Sequence, residues 1–283
     1  MNLLEGLRIA TTALNLPGPV ACARLRDLGA AVVKVEPPAG DPFEAYCPAW
    51  YGRLHERMEV RRLDLKSAEG REAMDALLAG SDLLVTAQRP SALARMGLGG
   101  EALSRRFPRL CRVNITGHAP PHEETPGHDL TYMAAHGLVT PGVMPPTLFA
   151  DMAGAERAVS TALALVIGRD RGGAAAGAAV PLEEAAAALA QPLREGLTRR
   201  SALLGGGLAG YNLYATSDGW IALAALEPHF AESLSSALGI DSLTAPRLEE
   251  RFSAHTAAHW ERWARERGLP LVALRDPSNP SGH

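Results

Sequence analysis

The sequence has few cysteines, almost no lysine and no excess of basic charge, and each scarcity excludes a class of protein. Its three cysteines, Cys22, Cys47 and Cys111, lie too far apart for a disulfide framework or a metal-binding spacing, which fits a reducing compartment. The 28 basic residues include two lysines, Lys34 and Lys66, and we attribute the preference for arginine to coding bias. Because 31 acidic residues outnumber the basic ones, the chain lacks the basic field of a nucleic-acid-binding protein, and we expect no such partner.

Long apolar runs are also missing. Residues 1–8 carry Glu5 and Arg8 where a secretory signal peptide needs an apolar core. The most apolar stretches, residues 160–167 and 174–190, are too short or too interrupted by Pro and Glu to span a bilayer. We therefore expect a cytoplasmic protein without membrane contact, whose 283 residues form one large domain or two smaller ones.

The glycine-rich signatures of nucleotide binding are absent too. The turn at residues 15–19 has the sequence Asn-Leu-Pro-Gly-Pro rather than G-x-G-x-x-G, and no Walker A lysine motif occurs. This argues against nicotinamide and P-loop chemistry, although a helix that starts after the turn would still offer free N–H groups to a phosphate. No metal site is expected, since His255 and His259 are four residues apart but have no third ligand nearby.

What is present is an alternation of short β-branched runs with helical patterns, typical of an α/β sheet. Strands are predicted at Leu7–Leu14, Ala31–Val35, Leu83–Thr86 and Leu110–Thr116, and helices at Val20–Leu28, Ser67–Leu78, Ser91–Met96 and Gly100–Arg106. Such a pattern predicts a Rossmann-like, doubly wound parallel sheet. Ligands bind these sheets at the carboxyl ends of the strands, which here are the loops 14–19, 36–60, 86–91 and 117–128.

The second half of the chain has a different pattern. Helices are predicted from Asp151 to Arg169 and over Leu182–Leu197, followed by a glycine-rich linker at residues 198–210. Beyond the linker come a β-hairpin of Tyr211–Thr216 and Trp220–Ala225, three short helices and a last strand. We predict a large α/β domain at residues 1–197 and a smaller α+β domain at residues 211–283.

Short motifs in a fixed order resemble those of family III CoA-transferases and their racemase relatives. They are LEGLR at 4–8, PGP at 17–19, LGA at 28–30, VKVEPP at 33–38, GDP at 40–42, LDLK at 63–66, EGR at 69–71 and RMGLG at 95–99. The order and spacing of the motifs are more specific than any one of them. The resemblance implies the CoA-transferase family III fold, with a large domain that binds coenzyme A.

Two segments narrow this resemblance to the α-methylacyl-CoA racemases. Residues 126–132 resemble the racemase segment with a catalytic histidine, here His128, and residues 148–154 resemble the one with a catalytic aspartate, here Asp151. Plain CoA-transferases share the aspartate, but the histidine position is usually filled differently. The resemblance also implies that Asp129 and Glu227 orient and tune this pair.

These residue types suit the removal of a proton next to a thioester. Racemisation needs an acid/base group on each face of the α-carbon, and it needs the enolate to be stabilised between them. Histidine titrates near neutrality, whereas an aspartate must be partly desolvated to become a comparable base. A CoA-transferase would instead use Asp151 as a nucleophile, without need of His128. A third alternative is a non-catalytic acyl-CoA-binding homologue.

Coenzyme A would enter as part of the substrate, with no permanently bound cofactor. Its phosphates require Arg or Lys and backbone donors. By resemblance, the candidate CoA contacts are Asn15, Leu16, Pro17, Gly18, Arg57, Arg95 and Met96. The resemblance further implies a homodimer, with interlocked chains as one form of it.

Overall fold

The structure, a computed structural model, describes residues 2–275. The chain divides into two compact units, the first ending at Ala190 and the second starting at Gln191. The strands of the first unit are β1 (Arg8–Thr11), β2 (Ala31–Glu36), β3 (Glu59–Arg62), β4 (Leu83–Thr86), β5 (Cys111–Thr116) and β6 (Gly177–Pro181). Its helices are α1 (Pro17–Asp27), α2 (Pro42–Tyr46), α3 (Pro48–His55), α4 (Ala68–Ala79), α5 (Pro90–Arg95), α6 (Gly100–Arg106), α7 (Asp129–Ala135), α8 (Phe149–Asp170) and α9 (Leu182–Leu189).

The six strands form one parallel sheet in the order β3-β2-β1-β4-β5-β6. In its centre, Ile9 of β1 lies opposite Val32 on one side and Leu83 on the other. The chain order reverses between β1 and β4, which opens a crevice beyond the carboxyl ends of these strands. The predicted Rossmann-like sheet is therefore confirmed.

Helices cover both faces of the sheet, because neighbouring residues of a strand point to opposite sides. Ile9 packs with residues of α1 and α8 in one core, whereas Ala10 packs with residues of α4 and α6 in the other. The prediction of a doubly wound sheet with a long helix near Asp151 is correct, since α8 begins at Phe149.

Helix α1 begins at Pro17, so the predicted turn at residues 17–19 with a helix start at Val20 is wrong. Proline is favoured in the first turn of a helix, where its missing N–H leaves no hydrogen bond unmade. Glycine at position 18 lets α1 pack closely against Ala13 in the loop after β1, since a Cβ at this position would lie 2.2 Å from the Cβ of Ala13. Because Pro17 and Pro19 lack an N–H, Gly18 provides the one backbone donor among the first three helical residues, which weakens the expected phosphate site.

Five elements of the first unit were not predicted. Strand β3 is an exposed, charged edge strand, and β6 consists mainly of Gly and Ala; neither has the β-branched pattern of a buried strand. Helix α7 has seven residues in a region without helical periodicity. Two further short helices, α2 and α3, lie within the predicted loop at residues 36–60.

The predicted helix Leu182–Leu197 is also wrong, because α9 ends at Leu189 and a separate short helix, α10 (Gln191–Arg194), follows. Pro192 cannot donate a backbone hydrogen bond to the carbonyl of Ala188, so a continuous helix would be interrupted there.

The second unit has a core of its own around a three-stranded antiparallel sheet. Its strands are β7 (Tyr211–Ala215), β8 (Trp220–Ala224) and β9 (Leu271–Ala273), and its helices after α10 are α11 (Pro228–Leu238), α12 (Ala245–Ser253) and α13 (Ala257–Arg265). The predicted hairpin is present, closed by a hydrogen bond from the N–H of Thr216 to the carbonyl of Gly219. Within residues 2–275, no helix combines the length and hydropathy needed to cross a membrane.

Candidate active site

A cleft of about 690 Å³ lies in the first unit, at the carboxyl ends of β1, β4 and β5. Its wall includes Asn15 after β1, Arg89 after β4 and Gly117 after β5. Pro42 adds the loop at residues 36–60. All four loops expected to bind a ligand therefore meet at one place, as the topology of the sheet requires.

The cleft brings together the two residues that the sequence predicts to carry the chemistry. His128 is the residue immediately before α7, and Asp151 lies in the first turn of α8; both line the cleft. Thr131 secures the start of α7, because its hydroxyl accepts the backbone N–H of His128 and donates to the carbonyl of the same residue. His128 is exposed and lines the cleft, so a substrate bound there can reach it.

Asp151 has an unusual environment for a carboxylate. Burial, assisted by the nearby charge of Asp129, raises its pKa from 3.8 to about 7. The position in the first turn of a helix favours the ionised form and acts against the effect of burial. Asp129 is itself 5% exposed. Its carboxylate accepts the backbone N–H of Asp151 at 2.9 Å, which joins the starts of α7 and α8.

The loop after β1 is anchored by a buried ionic cluster of Lys34, Glu36, Asp41 and His55. Asn15 has a left-handed backbone conformation with φ of 63°, and its N–H donates to Asp41 Oδ1 at 3.0 Å. The other oxygen of Asp41 accepts from the Lys34 ammonium at 2.5 Å. Lys34 is fully buried, and the cluster thereby fixes one wall of the cleft.

The same cluster resembles a metal site in its spacing. Glu36, Asp41 and His55 place ligand atoms within 4.8 Å of one another. The Lys34 ammonium contacts all three, at 3.1 Å, 2.5 Å and 2.8 Å respectively, so a lysine holds the position that a metal cation would take. Since an ammonium can only donate, His55 Nε2 accepts and its Nδ1–H donates to the carbonyl of Tyr51. Burial and the lysine charge lower the pKa of His55, consistent with a neutral imidazole.

The candidate CoA contacts are only partly brought together. Asn15, Leu16 and Pro17 line the cleft, with Gly18 in the adjoining turn of α1. Arg57 instead pairs with Asp27 at 3.1 Å, at the opposite end of α1 from the cleft.

Three other predicted residues lie outside the cleft lining. Arg95 is an exposed residue at the end of α5, and Met96 packs against the core on the α4 side of the sheet. Glu227 belongs to the second unit, where it immediately precedes α11 without a side-chain capping hydrogen bond.

Arg89 is a basic residue of the cleft that the sequence motifs did not single out. It precedes α5 and is exposed on the cleft wall. Its positive charge acts on two neighbouring groups. It opposes the rise in the pKa of Tyr132, and it adds to the lowering of the pKa of Glu124. The signal was its position in the predicted ligand loop 86–91, directly before Pro90.

Comparisons with known proteins identify relatives along most of the chain. The sequence model of CoA-transferase family III matches residues 4–279. Cinnamoyl-CoA:phenyllactate CoA-transferase of Clostridium sporogenes is 31% identical over 52% of this chain, a match that spans 40% of the transferase's own length. Human alpha-methylacyl-CoA racemase is 29% identical over 91% of this chain and 74% of its own length. The crystal structure of a hypothetical protein, Rv3272, from Mycobacterium tuberculosis has a TM-score of 0.82 at 25% identity, covering 98% of this chain and 85% of that one.

Proposed function

The chain belongs to CoA-transferase family III, and on that premise we propose that it is a racemase or epimerase of 2-methyl-branched acyl-CoA thioesters. The observation that carries the proposal is that His128 and Asp151 line one cleft, with the pKa of Asp151 raised to about 7. Asp151 can then exist in its acidic and basic forms near neutral pH, and an imidazole is a suitable second group for two-base proton transfer.

The proposed reaction removes one proton from the α-carbon and adds another to it. One of the two groups, in its basic form, takes the proton from the α-carbon, and the electrons of the C–H bond move to the thioester oxygen to form an enolate. The other group, in its acidic form, gives a proton to the opposite face of that carbon. The configuration is inverted, and the roles of His128 and Asp151 exchange for the reverse direction.

Other residues would support this pair. Asp129 fixes the backbone of Asp151 and contributes to its raised pKa. Glu227 is retained as an orienting group on the sequence resemblance alone. Arg89 and the loop of Asn15–Pro17 would bind coenzyme A, which arrives as part of the acyl-CoA substrate. The proposal includes a homodimer, which light scattering of the purified protein would test.

The decisive experiment follows the substrate α-proton in deuterated water. Purified protein is incubated with a panel of acyl-CoA thioesters, and we expect deuterium to enter the α-position of 2-methyl-branched ones. His128→Ala should reduce the exchange strongly, whereas the matched variant His122→Ala, at an exposed loop position outside the cleft lining, should keep it. Undiminished exchange in His128→Ala would remove the histidine from the mechanism.

A CoA-transferase is the second candidate, favoured by the clostridial relative that carries this activity in its name. Here the Asp151 carboxylate attacks the thioester carbon and the CoA thiolate leaves, which forms a mixed anhydride on the aspartate. Mass spectrometry of the protein with an acyl-CoA and two carboxylate acceptors would detect an adduct on Asp151. Clean α-exchange without transfer would exclude this alternative, and acyl-CoA binding without either reaction would indicate a non-catalytic homologue.

A further inference from the structure

Tyr132 is a buried cleft residue whose hydroxyl group has no partner. The side chain extends from α7 and is 3% exposed, yet it lines the cleft that contains Asp151. Among residues 2–275, the phenolic oxygen makes no hydrogen bond to another protein group. Because the Tyr132 side chain lines the cleft, its hydroxyl group is free to donate to an acceptor that enters there.

Two glycines make room for the phenol. A Cβ on Gly117 would lie 2.4 Å from the Tyr132 oxygen, and a Cβ on Gly127 would lie 2.4 Å from Cε1 and 2.7 Å from the oxygen. Both glycines also line the cleft. The hydroxyl therefore lies where the backbone at Gly117 and Gly127 forms the cleft wall, and a side chain at either position would displace it.

The ring is held in one orientation. It packs edge-on against the imidazole of His118, with 5.3 Å between centroids and an interplanar angle of 83°. His118 is in turn paired with Glu183 at 2.5 Å. A donor on so constrained a ring points to a fixed place in the cleft, and catalytic hydrogen-bond donors need this pre-organisation.

The phenol keeps its proton at physiological pH. Burial, followed by the charge of Asp151, raises the pKa of Tyr132 to about 12. The group can therefore donate a hydrogen bond to an oxygen that becomes negative, while it contributes no proton of its own to the product.

We propose that Tyr132 donates a hydrogen bond to the thioester carbonyl oxygen of the bound acyl-CoA and stabilises the negative charge that develops there. The inference rests on the proposed function but serves either version of it. Proton removal from the α-carbon produces an enolate oxygen, and attack by the Asp151 carboxylate produces a tetrahedral oxyanion on the same atom. In both cases the phenol O–H bond stays intact.

Tyr132→Phe tests the proposal because it keeps the ring and removes the hydroxyl. We expect α-exchange or transfer to fall by about 100-fold or more, as for the loss of one oxyanion donor, with no decrease in melting temperature. The matched variant is Tyr214→Phe, in the second unit, whose buried hydroxyl donates to the carbonyl of Ala209 at 2.6 Å. That variant should lower the melting temperature and leave the reaction rate unchanged.

A spectroscopic readout separates this hydrogen bond from the reaction. Pivaloyl-CoA has no α-hydrogen and cannot form an enolate, so its ¹³C-labelled thioester carbonyl can be observed by infrared difference spectroscopy when bound, in the absence of any carboxylate acceptor. We expect the carbonyl band to move to lower frequency in the wild type and to lose this shift in Tyr132→Phe, with the shift kept in Tyr214→Phe.

The outcomes distinguish the two proposals. If the wild type shows the shifted carbonyl band but catalyses neither α-proton exchange nor CoA transfer, the proposed function is wrong and the hydrogen bond from Tyr132 is supported. Equal band positions in wild type and Tyr132→Phe, or equal rates, would overturn the role of Tyr132. Failure of the wild type to bind pivaloyl-CoA would overturn it as well.

Discussion

The backbone N–H of Asp151 donates to the carboxylate of Asp129 at 2.9 Å, which brings two acidic side chains together at the starts of α7 and α8. The hydrogen bond satisfies one of the free N–H groups in the first turn of α8. This arrangement makes ionisation of Asp151 less favourable, because burial and the neighbouring charge raise its pKa to about 7. The contact between the two helix starts thus also contributes to the raised pKa of the predicted catalytic residue, Asp151.

Asp151→Asn should change how stability depends on pH. Asp151 holds its proton up to about pH 7 in the folded state, whereas in the unfolded chain its carboxyl group has the ordinary pKa of 3.8. Between these values the native state binds the extra proton, so the stabilisation is complete below pH 3.8 and is lost as the pH rises through about 7. Asparagine removes this dependence, and the free energy of unfolding of the variant relative to wild type should increase by up to about 1.4 kcal/mol per pH unit in that window.

Urea unfolding of both proteins at about pH 5, 7 and 8.5 measures this difference, with ordinary linear extrapolation. We expect the difference to grow between the first two pH values and to stay constant between the last two. An offset that is the same at all three would show that Asp151 has an ordinary pKa.

Asp129→Asn should lower the pKa of Asp151. The amide oxygen can still accept the backbone N–H, but the neighbouring negative charge is removed. The pH–rate limb that reports ionisation of Asp151 should move to lower pH, by less than the whole shift because burial remains the larger cause. Asp75→Asn, which removes a carboxylate paired with Arg106 on a partly exposed surface, is the control and should leave the profile in place.

Arg89→Gln should weaken the binding of coenzyme A about 10-fold, since a charge-assisted hydrogen bond to a phosphate contributes on this scale. Arg57→Gln should change the affinity little, because its side chain is engaged with Asp27 at the far end of α1. Calorimetric titration with free CoA compares the two variants directly. A larger loss in Arg57→Gln than in Arg89→Gln would reverse the assignment made from the cleft.

The sequence predicts the sheet and the ligand loops well because both follow from local hydrophobic patterns and from the topology of parallel strands. Its motifs also name His128 and Asp151 as the catalytic pair, and the helical pattern after Asp151 predicts α8, whereas α7 after His128 was not predicted. The sequence misplaces the start of α1, because that start depends on the tertiary packing around Gly18 rather than on helix propensity. It names Arg57 and not Arg89 as a CoA contact, since both lie in candidate ligand loops and only the packing of α1 and α5 determines which one reaches the cleft.

Gly18→Ala and Gly52→Ala form a matched pair of helix substitutions with opposite expected effects. A Cβ at Gly18 would lie 2.2 Å from the Cβ of Ala13, so α1 and the loop after β1 must move apart, at about 1–3 kcal/mol. A Cβ at Gly52, inside the exposed part of α3, meets no atom within 4 Å, and alanine there should stabilise by about 0.5–1 kcal/mol. Thermal unfolding distinguishes them; a stabilised Gly18→Ala would contradict the close contact.

Lys34→Met tests whether the buried ammonium holds the first unit together. Its charge is the cation between Glu36 and Asp41, both of which are buried, and it also donates to His55. Removing one partner of a buried ion pair leaves uncompensated charge in a medium of low dielectric, which destabilises by about 3–5 kcal/mol. Lys66→Met removes the other lysine of the chain at an exposed position, where the change should stay within about 0.5 kcal/mol.

Comparing the two variants by urea unfolding isolates the effect of burial, because the same side chain is replaced by the same residue. Lys34→Met should also weaken CoA binding, since Asp41 would no longer hold the N–H of Asn15 in the cleft wall. Equal stability of the two variants would mean that the buried carboxylates find protons or water instead of needing the lysine, and the cluster would then not be what fixes the loop.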